Sequence, residues 1–350
     1  MRYRTYTLGE LAQIKYGRDH KAVRDDENGC CPILGTGGVM GRATRPLCEG
    51  PSVLIGRKGS IGRVRYIDEP FWTVDTLFYT VVNERLVLPR YLYYLLSAQD
   101  MMWYNEGTTV PSLRTEMLEQ IRLPVPDLGT QERVLGVLGM LDDRIGLNRR
   151  TAQGFEEQAL TLYRLRYQPA EDALPTGWRM ARLEEFFPVL TGRVDANIAD
   201  EDGPYPFFTC GREVLRAGQW SFDGAAVLVA GNGEFSVKAC EGKFEAYQRT
   251  YVLMPYDSAL LGFLYYALKY NLPAITAGFR GSVVKFITKG DIAGFRIPAP
   301  PRPQEDAGCA LLLENLRRIG NLRKHSAALA SLRDALLPKL LSGEIEAPAV

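Results

Sequence analysis

The sequence has only two histidines, His20 and His325, and no C-x-x-C pair among its six cysteines. Zinc sites and histidine-centred acid–base catalysis therefore lose their usual ligands. Cys30, Cys31, Cys48, Cys210, Cys240 and Cys309 read instead as reduced, mostly buried thiols. An excess of one charge is missing too: 42 Lys+Arg face 41 Asp+Glu, a formal +1, so no global pull toward nucleic acid or an anionic membrane follows. Any anion-binding surface must be local. No 18-residue stretch is free of charge and turn formers, and the start Met1-Arg2-Tyr3-Arg4-Thr5-Tyr6 lacks the apolar core of a signal peptide. These absences predict a cytoplasmic protein with no membrane partner. Phosphate-loop, dinucleotide-fold and nucleophile-elbow motifs are absent, as is the Asn-Pro-Pro-Tyr or Asp-Pro-Pro-Tyr segment that holds a flipped base in amino-methyltransferases. ATP hydrolysis, dinucleotide binding, serine hydrolysis and methyl transfer by this chain are not expected.

What the chain does have is itself, twice. Its 350 residues, 46% hydrophobic and 24% charged, suffice for two or three packed units. Leu8-Gly9-Glu10 with Gly17-Arg18 returns as Leu183-Glu184-Glu185 with Gly192-Arg193, and Val53-Leu54-Ile55 before Gly59 returns as Val227-Leu228-Val229 before Gly233. Tyr91-Leu92-Tyr93-Tyr94 is answered by Phe263-Leu264-Tyr265-Tyr266, Arg122-Leu123-Pro124-Val125-Pro126 by Arg296-Ile297-Pro298-Ala299-Pro300, and Gln131-Glu132 by Gln304-Glu305. The order is preserved at a nearly constant offset, which makes the chain a tandem duplication with two similar folds and two similar surfaces.

Each copy has two parts. Up to its Pro-x-Pro segment it reads as short β-rich runs, such as Ser52–Ile55 and Phe71–Val82, interrupted by a helix around Pro89 to Ala98. Beyond it, Val134, Leu138, Leu141, Ile145, Asn148, Ala152, Phe155, Ala159 and Leu162 follow at alternating steps of four and three, the seam of a coiled coil. The second copy has Leu312, Leu316, Ile319, Leu322, Leu329 and Leu336 in a comparable helix ending near Pro338 and Gly343. The fold class expected is α+β: two globular domains of mixed, β-rich structure, separated by two long helices packed as an antiparallel coiled coil, with an internal pseudo-twofold repeat. The alternative is that each helix packs on its own domain. Expected boundaries are 1–126 and 171–300 for the domains, 127–170 and 301–345 for the helices, and 346–350 for a tail.

Local charge is concentrated in the first copy. Between Met40 and Arg65, Arg42, Arg45, Arg57, Lys58, Arg63 and Arg65 face Glu49 alone, and Gly56-Arg57-Lys58-Gly59-Ser60-Ile61-Gly62 follows a strand. Glycine amides beside Arg and Lys suit phosphate and base-edge contacts in DNA, although a tight hairpin with a solvated basic tip fits the segment as well. The counterpart Ala230-Gly231-Asn232-Gly233-Glu234 replaces the charges by an amide and an acid, which would read different bases. A second pair of loops, Gly107-Thr108-Thr109-Val110-Pro111-Ser112 and Gly278-Phe279-Arg280-Gly281-Ser282-Val283, offers hydroxyls and Arg280. Candidate DNA contacts are thus Arg42, Arg45, Arg57, Lys58, Ser60, Arg63, Thr108 and Thr109 in the first copy, and Asn232, Glu234, Arg280 and Ser282 in the second. The aromatic clusters at Tyr91 and Phe263 are read as core.

The order Leu8-Gly9-Glu10, Gly56-x-x-Gly59-Ser60-Ile61-Gly62, Thr76-Leu77-Phe78, Tyr91-x-Tyr93-Tyr94, Gly107-Thr108 and Ile121-x-Leu123-Pro124-x-Pro126 into Gln131-Glu132, closing on Leu336-Leu337-Pro338-Lys339-Leu340-Leu341-Ser342-Gly343-Glu344-Ile345, resembles type I restriction-modification specificity subunits. The resemblance covers essentially the whole chain. It implies a non-catalytic subunit whose two domains each read half of a bipartite double-stranded DNA target, with helices that set the spacing and dock two modification subunits. S-adenosylmethionine, and ATP with Mg, would belong to modification and restriction partners, leaving no cofactor in this chain. It also implies partner contacts along 131–150 and 304–324, through Gln131, Leu138, Asp142, Asn148, Gln304, Leu312 and Ile319. The rival reading is a stand-alone enzyme with an inter-domain site for a phosphorylated ligand at Gly56–Gly62.

Overall fold

The structure, a computed structural model, describes residues 3–107, 110–281 and 284–348. It divides into two compact units, Met1–Gly146 with Ser326–Val350, and Leu147–His325, so that the division falls inside both long helices.

In the first unit the chain runs β1 (Arg4–Thr7), α1 (Leu8–Leu11), β2 (Ala12–Tyr16), β3 (Cys31–Gly35), β4 (Gly38–Ala43), β5 (Ser52–Gly56), β6 (Val64–Ile67), β7 (Trp72–Thr73), β8 (Leu77–Val82), α2 (Pro89–Ser97), α3 (Thr115–Glu119) and β9 (Arg122–Val125). It then enters α4 (Leu128–Tyr167). The second unit repeats the plan with β10 (Arg179–Arg182), β11 (Val189–Thr191), β12 (Tyr205–Phe208), β13 (Val214–Ala217), β14 (Phe222–Asp223), β15 (Ala226–Ala230), β16 (Val237–Cys240), β17 (Lys243–Ala246), β18 (Thr250–Leu253), α5 (Leu261–Ile275), α6 (Lys289–Ala293) and β19 (Arg296–Ala299), before α7 (Ala307–Ser342).

Sheet order carries the duplication. The antiparallel sheet β2-β8-β5-β6 matches β11-β18-β15-β16, the sheet β4-β3-β7 matches β13-β12-β17 with β14 added, and the ribbon β1-β9 matches β10-β19. In both units the second sheet contains one parallel pair, β3 with β7 and β12 with β17. The central strands β5 and β15 are buried along their whole length. Their unbroken apolar runs follow from burial on both faces: Val53 and Ile55 face the core that includes Tyr91 and Leu95 of α2, while Leu54 packs with Phe71 and Tyr79. Likewise Val227 and Val229 face α5, and Ala226 and Leu228 meet Phe208, Phe222 and Phe244.

The expected run Phe71–Val82 is not one strand. It breaks at Asp75-Thr76, because Gly17 N–H bonds Leu77 O and Arg18 N–H bonds Thr73 O, drawing the chain across from one sheet to the other. Gly17 sits so close that a Cβ there would lie 2.0 Å from Val74 O, and Gly192 is held the same way, 2.2 Å from Ala246 O.

The two long helices pair antiparallel within each unit. In the first, Val134 and Leu138 near the start of α4 share a core with Leu340 and Leu341 at the end of α7. In the second, Ala159, Tyr163 and Tyr167 at the end of α4 meet Cys309 and Leu312 at the start of α7. The seam holds at Val134, Leu138, Ile145, Asn148, Ala152 and Ala159, then shifts from Leu162 to the fully buried Tyr163 and Tyr167, whose rings stack with each other and meet Phe263, Tyr163 tilted and Tyr167 edge-on. Large rings fill the space that α5 leaves better than a leucine row. Among the described residues no helix is long and apolar enough to cross a membrane.

Carboxylates tie the helix pairs. Asp142 Oδ2 accepts from Tyr94 Oη at 2.5 Å and Oδ1 from Arg333 Nη1 at 2.6 Å. Glu156 accepts from Lys269 Nζ (2.6 Å) and Tyr265 Oη (3.2 Å). Asp306 caps α7 through the Gly308 and Cys309 N–H groups while accepting from Arg166 (2.6 Å) and Tyr167 at the end of α4. Burial alone would raise the Asp306 carboxyl, but the bonds from Arg166, Tyr167 and Cys309 N–H outweigh it and hold it at about 2.

An unfolded aspartate titrates near 3.9. Because the folded value is depressed, the Asp306 contribution is complete above about pH 4 and is lost as pH falls through about 2. Asp306→Asn should therefore lower stability by about 1–3 kcal/mol at pH 7, as read by urea unfolding. The gap to the parent should narrow steadily as the same measurement is taken toward pH 2.

Candidate nucleic-acid interface

Antiparallel register gathers loops at one end of the first sheet in each unit. Tyr16 pairs with Phe78, Gly56 with Leu77 and Ile55 with Val64, so the ends of β2 and β5 and the starts of β6 and β8 lie together. Backbone hydrogen bonds latch the turn after β5 to the segment Pro111–Leu113, which is tied in turn to Glu106. Gly59 N–H donates to Pro111 O at 2.9 Å, Leu113 N–H to Arg57 O at 2.9 Å, and Glu106 N–H to Ser112 O at 3.1 Å. Asn105 Oδ1 closes that loop by accepting from Gly107 and Ser112 N–H.

The second unit has the same latch. Gly233 N–H donates to Lys285 O at 2.9 Å, Ile287 N–H to Gly231 O at 3.0 Å and Arg280 N–H to Phe286 O at 2.9 Å. Each turn reverses at a glycine in the left-handed region, Gly59 at φ 76° and Gly233 at φ 71°, with open space where a Cβ would be. Backbone latching leaves the tip side chains free to differ.

The expected contacts divide on this frame. Lys58, Ser60 and Arg63 are exposed in the first cluster. Arg57 is half-buried: its guanidinium lies 4.9 Å from the Tyr16 ring centroid and 5.9 Å from that of Phe78, and Nη1 donates to Asp75 O at 2.9 Å. It braces the loop base rather than presenting a free reader. Arg42 and Arg45 stand outside the cluster, at the end of the β3–β4 hairpin opposite its Gly35–Gly38 turn, where Arg42 Nε bonds Gly29 O. Thr108, Thr109 and Ser282 lie outside the described residues.

In the second cluster Asn232 is half-buried and bridges to Phe286. Glu234 is forked by Arg212, whose hydrogen bonds lower its carboxyl below the usual range. Arg280 pairs with Asp291 at 2.9 Å. Burial would raise Asp291, but bonds from Thr288 and Arg280 bring it below its ordinary value. Arg249, beside the latch through Gly231 N–H to Arg249 O, and Lys285, whose Nζ lies 4.5 Å from the Phe279 ring centroid, are both exposed and were missed as candidates. The repeat offset that aligns them with Thr76 and Pro111 was the available signal.

Most of the expected partner contacts prove internal. Gln131 is buried, accepting from Leu88 N–H and donating to the Leu86 and Pro126 carbonyls. Leu138, Asn148, Leu312 and Ile319 are buried as well, and Asp142 is tied to Tyr94 and Arg333. Seam positions turn inward by the geometry that makes a seam, so Leu138, Asn148, Leu312 and Ile319 pack within the chain, while Gln131 and Asp142 are engaged by its own hydrogen bonds. Gln304 keeps an exposed side chain, and the helices expose Met140, Leu165, Leu311 and Leu332.

Gly59→Ala should cost about 1–2 kcal/mol by forcing a side chain into the left-handed region, whereas Gly17→Ala should cost more than about 3 kcal/mol because its Cβ strikes the Val74 backbone. Thermal unfolding of the two variants checks the order; equal losses would contradict it.

The model of the type I restriction modification DNA specificity domain matches residues 2–157 and again 175–328. The specificity subunit of the EcoDI type I restriction enzyme of Escherichia coli is 42% identical over 177 residues, 49% of this chain; the chain spans 39% of that relative's length. The MjaIX specificity subunit of Methanocaldococcus jannaschii is 25% identical over 336 residues, 84% of this chain and 77% of that protein. The crystal structure of a type I restriction-modification S subunit from M. genitalium shares the fold, with a TM-score of 0.64 at 18% identity, covering 100% of this chain and 97% of its own. Two matched domains in the order the repeat demands make this chain a member of the type I restriction-modification specificity family.

Proposed function

We propose that this chain gives a type I restriction-modification complex its DNA specificity, each unit reading one half of a bipartite duplex target. The observation that carries the reading is the paired loop cluster: one backbone latch in two copies, with Lys58, Ser60 and Arg63 around one tip and Asn232 and Glu234 around the other. A common frame with unlike donors and acceptors suits two heads that read unlike sequences. Membership of the specificity family supports the same reading.

In this reading the chain performs no chemistry. Two modification subunits, holding S-adenosylmethionine, dock on the outward faces of α4 and α7, with Gln304, Met140, Leu165, Leu311 and Leu332 as their exposed contacts. The two helices set the half-site spacing, and any restriction subunits bring ATP and Mg. The rival stand-alone enzyme gains no support, since the matched family model and the matched relatives are specificity domains and subunits.

Mapping methylated adenines across the genome with and without the gene tests the proposal: one split motif should vanish on deletion, and an unchanged map would refute it. Lys58→Ala in the intact gene should relax one half of that motif and leave the other. Equal loss of both halves would mark a folding defect.

A further inference from the structure

The two latches equate positions across the copies, and at those positions the cations have moved. Arg57 and Lys58 correspond to Gly231 and Asn232, because Leu113 N–H bonds Arg57 O as Ile287 N–H bonds Gly231 O. Gly56 N–H bonds Arg63 O as Ala230 N–H bonds Ser236 O, which sets Arg63 against Ser236. The first turn of the second unit has thus lost all three cations and gained Glu234.

The surrounding positions compensate. Arg57 N–H bonds Thr76 O as Gly231 N–H bonds Arg249 O; Gly59 N–H bonds Pro111 O as Gly233 N–H bonds Lys285 O; Glu106 N–H bonds Ser112 O as Arg280 N–H bonds Phe286 O. Thr76, Pro111 and Glu106 of the first copy therefore give way to Arg249, Lys285 and Arg280. Arg280 is engaged by Asp291. Arg249 and Lys285 are exposed and have no carboxylate partner among the described residues.

Phosphates line any duplex whatever its sequence, so a DNA-reading head needs cations at its rim but not on one particular loop. Glu234, held in an ion pair with Arg212, leaves that turn with no net positive charge to offer a phosphate. We propose that Arg249 and Lys285 form the phosphate-contacting rim of the second half-site, the task that Lys58 and Arg63 have in the first. This rests on the DNA-reading function proposed above. It leaves the Asn232 turn for base edges and the facing loop for the backbone.

The test is the salt dependence of binding by the full chain to a mixed-sequence duplex, followed by fluorescence anisotropy across a KCl series. R249A/K285A and K58A/R63A should each reduce the slope of log K against log salt by about 1.8, two contacts at about 0.9 each. R249K/K285R should keep the parent slope, which separates charge from folding, and R302A, an exposed arginine outside the clusters, should keep it too. A parent slope in R249A/K285A beside a reduced one in K58A/R63A overturns this proposal alone. Parent slopes in both overturn the DNA reading of these sheet ends, and the proposal with it.

Discussion

Backbone hydrogen bonds between two loops, Gly59 to Pro111 in one unit and Gly233 to Lys285 in the other, are the constraint on which the rest of the site depends. Since amides and carbonyls make the latch, its geometry survives exchange of almost every side chain around it. Glycine is needed where the turn reverses, at Gly59 and Gly233. That is the physical condition for a head whose specificity can diverge while its frame stays fixed.

The latch is positioned by strands that have no freedom of their own. β5 and β15 are covered on both faces, so a slip of one residue would exchange two different apolar cores rather than a core and solvent. Below them the helix pairs are held by carboxylates with several donors each. Asp306 serves as cap of α7 and as acceptor for the end of α4, coupling helix initiation to helix pairing. Asp142 and Glu156 do the corresponding work against α2 and α5.

Charge takes on meaning only after this geometry is assigned. In sequence, Arg57 is one of six cations in a basic run; in the fold, Tyr16, Phe78 and the Asp75 carbonyl claim it as a brace. Arg42 belongs to the same run and ends elsewhere, because the β3–β4 hairpin carries it away from the turn after β5. Of the partner residues that the resemblance implies, Leu138, Asn148, Leu312 and Ile319 lie buried between the helices. Side chains in a helix seam face the other helix and are covered by it.

The amino-acid order alone was enough to establish the duplication, the long helices, the buried aromatics of α2 and α5, and the glycine turn of each copy, since repeat offset and periodicity are properties of a chain before it folds. It also located Leu162 in the seam, where packing instead chose Tyr163 and Tyr167 to fill the space beside Phe263. Which cations share a surface was decided by tertiary structure. Lys58 meets Ser112, and Gly233 meets Lys285, across some fifty residues of intervening chain, and strand register together with loop closure, neither visible in a local pattern, brings them side by side.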